Sequence, residues 1–158
     1  MQNSTSNTPM DVLIEHIRTR YHETHRREFP DLIALARKVE TAHATDPNTP
    51  HGLTHALESM IAELEAHMRE EEEIVFPEIR AGHGARAARA IPGLRAAHDG
   101  QEAALNRIAA ITHGFRLPDY ACQSWRRLYY GLGKLVEDLD EHMHLENEVL
   151  FPRLGSRT

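Results

Sequence analysis

A chain of 158 residues supplies one domain with a proper hydrophobic core and is too short for two ordinary ones. Its 41% hydrophobic and 27% charged residues are globular values, and no apolar run nears the roughly 20 residues that a membrane span requires. A net charge of −6, with arginines dispersed among glutamates, argues against a nucleic-acid partner, whereas twelve histidines beside 24 acids exceed what a plain helical domain needs and direct attention to metal ligation.

The opening MQNSTSNTPM is polar and lacks the basic and apolar regions of a secretion signal. Residues 1–9 therefore read as a flexible tail, and a cytoplasmic location follows by default. From Met10 to about His43, Val12, Leu13, Ile17, Leu32, Leu35 and Val39 recur mostly at three- and four-residue spacings, which predicts a first helix ending at ATDPNTPHG. Pro30 falls inside it and is expected to kink it. A second helix is predicted from Gly52 or Leu53 to Phe76, ended or bent by Pro77, and a Gly-rich stretch follows. The third, Leu94 to Thr112, stops near HGFRLPD, where Gly114 suits a helix C-terminus. The fourth runs from Asp119 to about Leu150 and closes before Pro152. Cys122 is alone, which excludes an internal disulfide, and YACQSW reads as a buried helix face. No segment alternates with period two. The fold class is thus all-α, an antiparallel four-helix bundle, with one domain over residues 10–154.

The chain also repeats itself. HMREEEEIVFPEI from His67 and HMHLENEVLFPRL from His142 share His, Met, Glu, Glu, Phe and Pro at the same offsets, 75 residues apart. Nearly the same offset relates His22 in RYHETH to His98 in AAHDGQ. Each repeated segment carries His-x-x-x-Glu, namely His67 with Glu71 and His142 with Glu146, and a four-residue step puts both side chains on one helix face. A single such pair would usually be a surface hydrogen bond; two pairs in equivalent places, each before the same Phe-Pro, point to a metal site. The inventory is His22, His67, Glu71, His98, His142 and Glu146, four imidazoles and two carboxylates without a thiolate, which suits iron or manganese better than structural zinc. If both glutamates bridge, His22 and His67 can serve one metal and His98 and His142 the other, although symmetry does not fix the pairing.

His43, in KVETAH, lies 21 residues beyond His22, roughly 30 Å along a continuous helix, and reaches the same site only if the helix breaks near Pro30. His16, His25, His51, His55, His83, His113 and His144 have no noted partner in the repeat and are expected at the surface or behind the ligands. Glu63, one turn before His67, is a candidate for lining a path to the site. The ferritin-like alternative uses Glu-x-x-His and more carboxylates; here the order is reversed. No serine–histidine–acid or cysteine–histidine arrangement suggests hydrolysis.

With RYHETHR, HMREEEEIVFP and HMHLENEVLFPR in place, the chain resembles the hemerythrin-like domain, specifically its Repair of Iron Centers branch of di-iron proteins that help restore iron–sulfur clusters after nitrosative or oxidative stress. The resemblance covers nearly the whole chain. It implies that His22, His67, Glu71, His98, His142 and Glu146 ligate two non-haem irons, the glutamates bridging with an oxo or hydroxo group. It also implies NO or O2 as ligand, damaged iron–sulfur proteins as partners, and a metal-binding stress protein more than an enzyme, with NO-reducing or oxygen-reacting turnover left open. Two departures stand out. The branch often begins with a small cysteine-containing domain, for which this chain has no room, and often carries an acid where Ala97 stands. Circulating oxygen carriers instead resemble a five-histidine pattern with an aspartate bridge in the last helix, where this chain has Glu146, so reversible oxygen binding, storage or sensing is the second reading. A histidine-rich scaffold without metal is the third.

Overall fold

The apolar stripes become four long helices in a computed structural model that describes residues 8–155. The proposed tail falls almost entirely outside those residues. Helix α1 covers residues 10–42, α2 residues 53–80, α3 Ile91–Ile111 and α4 residues 123–155, with a short helical turn at Gly84–Ala87 between α2 and α3. Helix α1 packs on both α2 and α4, and α2 packs on α3. No strand occurs among the described residues, and none of the helices is long and apolar enough to cross a membrane.

The breaks differ from those expected. Pro30 does not interrupt Glu23–Ala42; it lies on the exposed face of the helix, where its ring meets no core side chain. Helices α2 and α4 continue past Pro77 and Pro152 because the backbone first widens into a π turn, at Glu71–Val75 and at Glu146–Leu150. Each proline then falls second in a fresh α segment, Phe76–Arg80 or Phe151–Gly155, where a missing N–H costs nothing. A third π turn, Ile17–His22, interrupts α1 upstream of Pro30. Helix α3 starts at Ile91 with Pro92 in its first turn, and α4 starts at Gln123, four residues later than expected. Cys122 consequently precedes α4 and is exposed, contrary to the buried face expected of it.

Side chains from all four helices form two apolar clusters. The larger includes Phe29, Leu57, Leu64, Trp125, Leu132 and Leu139. The smaller lies towards the chain ends and includes Leu13, Ile17, Phe76, Leu94, Phe151 and Leu154. Apart from both stands a set of buried polar residues: His22, His25, His67, Glu71, His98, Gln101, His142 and Glu146. The six residues of that set with no measurable or only 1% exposure, His22, His25, Glu71, Gln101, His142 and Glu146, come from all four helices.

Polar contacts also tie α1 to α4. Arg20 Nη2 donates to Asp138 Oδ1 at 2.8 Å, and Lys134 Nζ donates to Asp138 Oδ2 and Glu28 Oε2, both at 2.8 Å. Burial would raise the Asp138 carboxyl, but the hydrogen bonds from Arg20 and Lys134 prevail and hold it below the usual aspartate range. A depressed carboxyl stabilises the fold above the unfolded-state value, about 3.9, and this contribution disappears as pH falls through the folded value. Asp138→Asn is thus expected to lower the unfolding free energy at pH 7 by about 1.5–3 kcal/mol, with the gap to the parent narrowing below about pH 4 in urea titrations run at successive pH values. Leu57→Ala, in the larger cluster, is expected to cost about 2–5 kcal/mol at every pH, read by the same titration.

Candidate metal centre

The repeat places each chemically active pair where a helix changes pitch. His67 and Glu71 straddle the junction of Leu53–Glu70 with its π turn, and His142 and Glu146 straddle the junction of Gln123–Leu145 with the equivalent one. His22 ends the π turn of α1, whereas His98 lies in the uninterrupted α3. A π turn carries one residue more than an α turn, which re-aims the side chains on either side of it.

The four imidazoles share one orientation, with Nε2 turned towards the carboxylate pair. His22 Nε2 lies 3.1 Å from Glu71 Oε1, His98 Nε2 2.7 Å from Glu146 Oε1 and His142 Nε2 3.0 Å from Glu146 Oε2. His67 Nε2 is 3.5 Å from both Glu71 Oε2 and Glu146 Oε1. Donor atoms of His22, Glu71, His142 and Glu146 all lie within 4.8 Å of one another, as do those of His67, His98 and Glu146. All six residues expected from the sequence are therefore brought together. The pairing is not the one expected: His22 goes with His142 and His67 with His98, their rings 5.1 and 4.9 Å apart. Both pairings obey the two-fold relation between the halves, so the repeat could not choose; α1 packs on α2 and α4 alike, and it is the packing of α3 on α2 that puts His98 with His67 and leaves His22 to His142.

The remaining candidates separate cleanly. His43 caps the far end of α1 and packs on Trp125, with ring centroids 5.0 Å apart, so it is outside the cluster. Glu63 is exposed. His16, His51, His55, His83, His113 and His144 are all exposed. His25 is fully buried, and its Nε2 lies 3.2 Å from His142 Nδ1. Further supporting residues were not singled out from the sequence. Glu72 Oε2 accepts from His22 Nδ1 at 2.7 Å, and Asn147 Oδ1 accepts from His98 Nδ1 at 2.9 Å. Phe76 stacks on His22 and Phe151 on His98, with centroids 5.9 and 5.7 Å apart. The signal was present, since Glu72 and Asn147, like Phe76 and Phe151, are 75 residues apart in the repeated segments.

Electrostatics single out the same centre. Burial drives the Glu71 carboxyl well above the ordinary range, and the Glu146 charge adds to this. Burial would raise Glu146 as well, but His142, His67 and His98 hold it well below. One carboxyl is thus pushed up and its neighbour held down, the usual outcome for like charges forced together. Burial, then the neighbouring His142, pulls His22 down to about 4 and His25 to about 3. Neutral imidazoles and acceptor carboxylates are the forms that bind metals.

The hemerythrin HHE cation binding domain profile matches residues 13–154. The chain belongs to that hemerythrin family. It is also 42% identical over 145 residues to the iron–sulfur cluster repair protein YtfE of Salmonella paratyphi B, Salmonella newport and Salmonella heidelberg. That stretch is 92% of this chain and 66% of each relative, so the chain spans a little under two thirds of their length. A hemerythrin-like domain related to these proteins implies a non-haem di-iron centre, and the two adjoining clusters fit it. Glu71 Oε2 and His67 Nε2 are buried without a hydrogen-bond partner among the described residues, as expected of atoms whose partner is a cation. Six nitrogen and oxygen donors without sulfur suit iron.

Proposed function

We infer that this hemerythrin-family protein is a di-iron stress-response protein that binds NO or O2 and supports repair of iron–sulfur clusters, by giving up iron or by removing NO. The observation that carries the reading is the aim of four imidazole Nε2 atoms at two carboxylates with no solvent exposure. In it, His22 and His142 hold one iron, His67 and His98 the other, and Glu71 and Glu146 lie between them. The role of the Salmonella relatives, iron–sulfur cluster repair, supports the same use. Iron held by histidine and carboxylate with an open position supplies binding of a diatomic molecule and one-electron chemistry.

The protein's own part is organisation. Glu72, His25 and Asn147 hold His22, His142 and His98 by their Nδ1 atoms, which fixes each ring and leaves Nε2 directed inwards. Phe76 and Phe151 cover two of the rings and keep bulk water away. Damaged iron–sulfur proteins are the macromolecular partners in this reading.

Glu71→Leu and Glu146→Leu are each expected to lower the iron content sharply from two per chain and abolish the oxo-bridge absorption, while His113→Leu, on an exposed turn, leaves both unchanged. Iron assay and the visible spectrum of the oxidised protein decide this; equal iron retention in all three variants would overturn the ligand set. Cluster-restoration and NO-consumption assays then separate iron donation from NO removal.

A further inference from the structure

The two halves of the repeat supply equivalent ligands, but the side chains behind those ligands are not equivalent. Behind His22 stands Glu72, at 2.7 Å from Nδ1, and the Arg26 guanidinium holds that carboxylate with bonds of 2.8 and 2.9 Å while also gripping Glu65. Behind His142 stands the His25 imidazole, fully buried, and Tyr21 stacks on the His142 ring at 5.1 Å with planes only 8° apart. Both rings of this pair are fixed from the back by a protein group.

Seventy-five residues on, the counterpart of Glu72 is Asn147. Its Oδ1 accepts from His98 Nδ1 at 2.9 Å, but the same oxygen lies 3.4 Å from Arg95 Nη1, so a neutral acceptor divides its strength between two donors. The counterpart of His25, at the 76-residue offset that relates His22 to His98, is Gln101. Gln101 Oε1 and His67 Nδ1 are both buried without a partner among the described residues. One half therefore backs its imidazoles with a carboxylate and an imidazole, whose own Nδ1 is buried without a partner among the described residues, and the other with two amides, one of which leaves its oxygen and the His67 Nδ1 unpaired. The carboxylates add to the imbalance: Glu71 and Glu146 both belong to the four-donor cluster with His22 and His142, and only Glu146 to the three-donor cluster with His67 and His98.

A hydrogen-bonded carboxylate behind a ligating imidazole fixes the ring and raises its basicity, and loss of such a partner typically weakens metal binding about 10–100-fold. We propose that the two metal positions are unequal, with the His22–His142 position retaining its metal and the His67–His98 position exchanging it. This rests on the di-iron reading above and adds to it the identity of the iron that leaves. Glu72 and Asn147 act as positioning residues, setting the two rates from behind the ligands.

The test uses the full chain, loaded anaerobically to two ferrous ions as verified by iron assay, then mixed with excess ferrous chelator and followed by absorbance. Two phases of equal amplitude are expected, with rates about tenfold or more apart. Asn147→Asp, which gives His98 a carboxylate, is expected to slow the fast phase and leave the slow one. Glu72→Gln is expected to quicken the slow phase and leave the fast one. Circular dichroism on each variant checks that the helices persist, and the two phases of the parent protein stand as evidence without either variant. A single phase from a chain holding two irons would overturn the inequality and leave the di-iron reading intact. Variant effects on the opposite phases would overturn the assignment. A parent chain that never loads two irons would overturn both.

Discussion

Two glutamates without solvent exposure, Glu71 and Glu146, set the terms for the rest of this molecule. A buried carboxylate is tolerated only if it is neutralised, paired or bound to a metal, and two of them together make the demand acute. The bundle meets it by surrounding the pair with four imidazoles, one from each helix. Imidazole is the one side chain that can be neutral at physiological pH, donate from one nitrogen and present the other as a ligand. Arginine or lysine in the same places would neutralise the glutamates permanently and close the centre to a cation. The apolar residues gather into two clusters, and the polar centre is assembled without belonging to either.

That demand also explains where the helices depart from regularity. An α-helix fixes the angle between successive side chains, so a His-x-x-x-Glu pair on a regular helix points both groups along one stripe. Widening α2 and α4 at Glu71 and Glu146 re-aims the carboxylates and lets the chain run on through Pro77 and Pro152, bringing Phe76 and Phe151 back over His22 and His98. Proline after phenylalanine is thus less a stop signal than a consequence of the π turn. The lost hydrogen bond falls where the ladder has already changed register.

Much of this was legible in the amino-acid sequence, and the reasons differ by feature. Helix count and order followed from stripes such as Leu13–Ile17, because burial of one face is a periodic demand, although Val12 beside them is exposed. That these six side chains gather at one place followed from the repeat, because its two halves match at the positions that face inwards. Helix ends near the prolines were misjudged, because a π turn leaves no mark in apolar periodicity. Cys122 was misread because its apolar neighbours Ala121 and Trp125 are buried on either side of a helix start, a boundary set by the loop and not by composition. The pairing of His22 with His142 could not be read at all, since it depends on which helices touch. His25 was left open between the surface and a place behind the ligands because its partner in the repeat, Gln101, is a different residue type; it stands behind His142.

That last difference bears on what the centre is for. A site built only to hold two metals has no use for inequality between its halves, and duplication offers equality at the outset. Here the inward-facing residues stayed matched while those behind them became carboxylate and imidazole on one side and two amides on the other. Ligand identity decides which metal is bound, and the groups behind the ligands tune how tightly, so the two properties can change independently. A donor of iron needs both a firm position that keeps the centre folded around a cation and a weaker one from which a metal can leave. On that proposal, the cation that stays in place allows the other to leave, because Glu71 and Glu146 are never both uncompensated. If the two positions are unequal as proposed, the constraint that shapes the bundle also sets how its metals are given up, one at a time and from the side of His67 and His98.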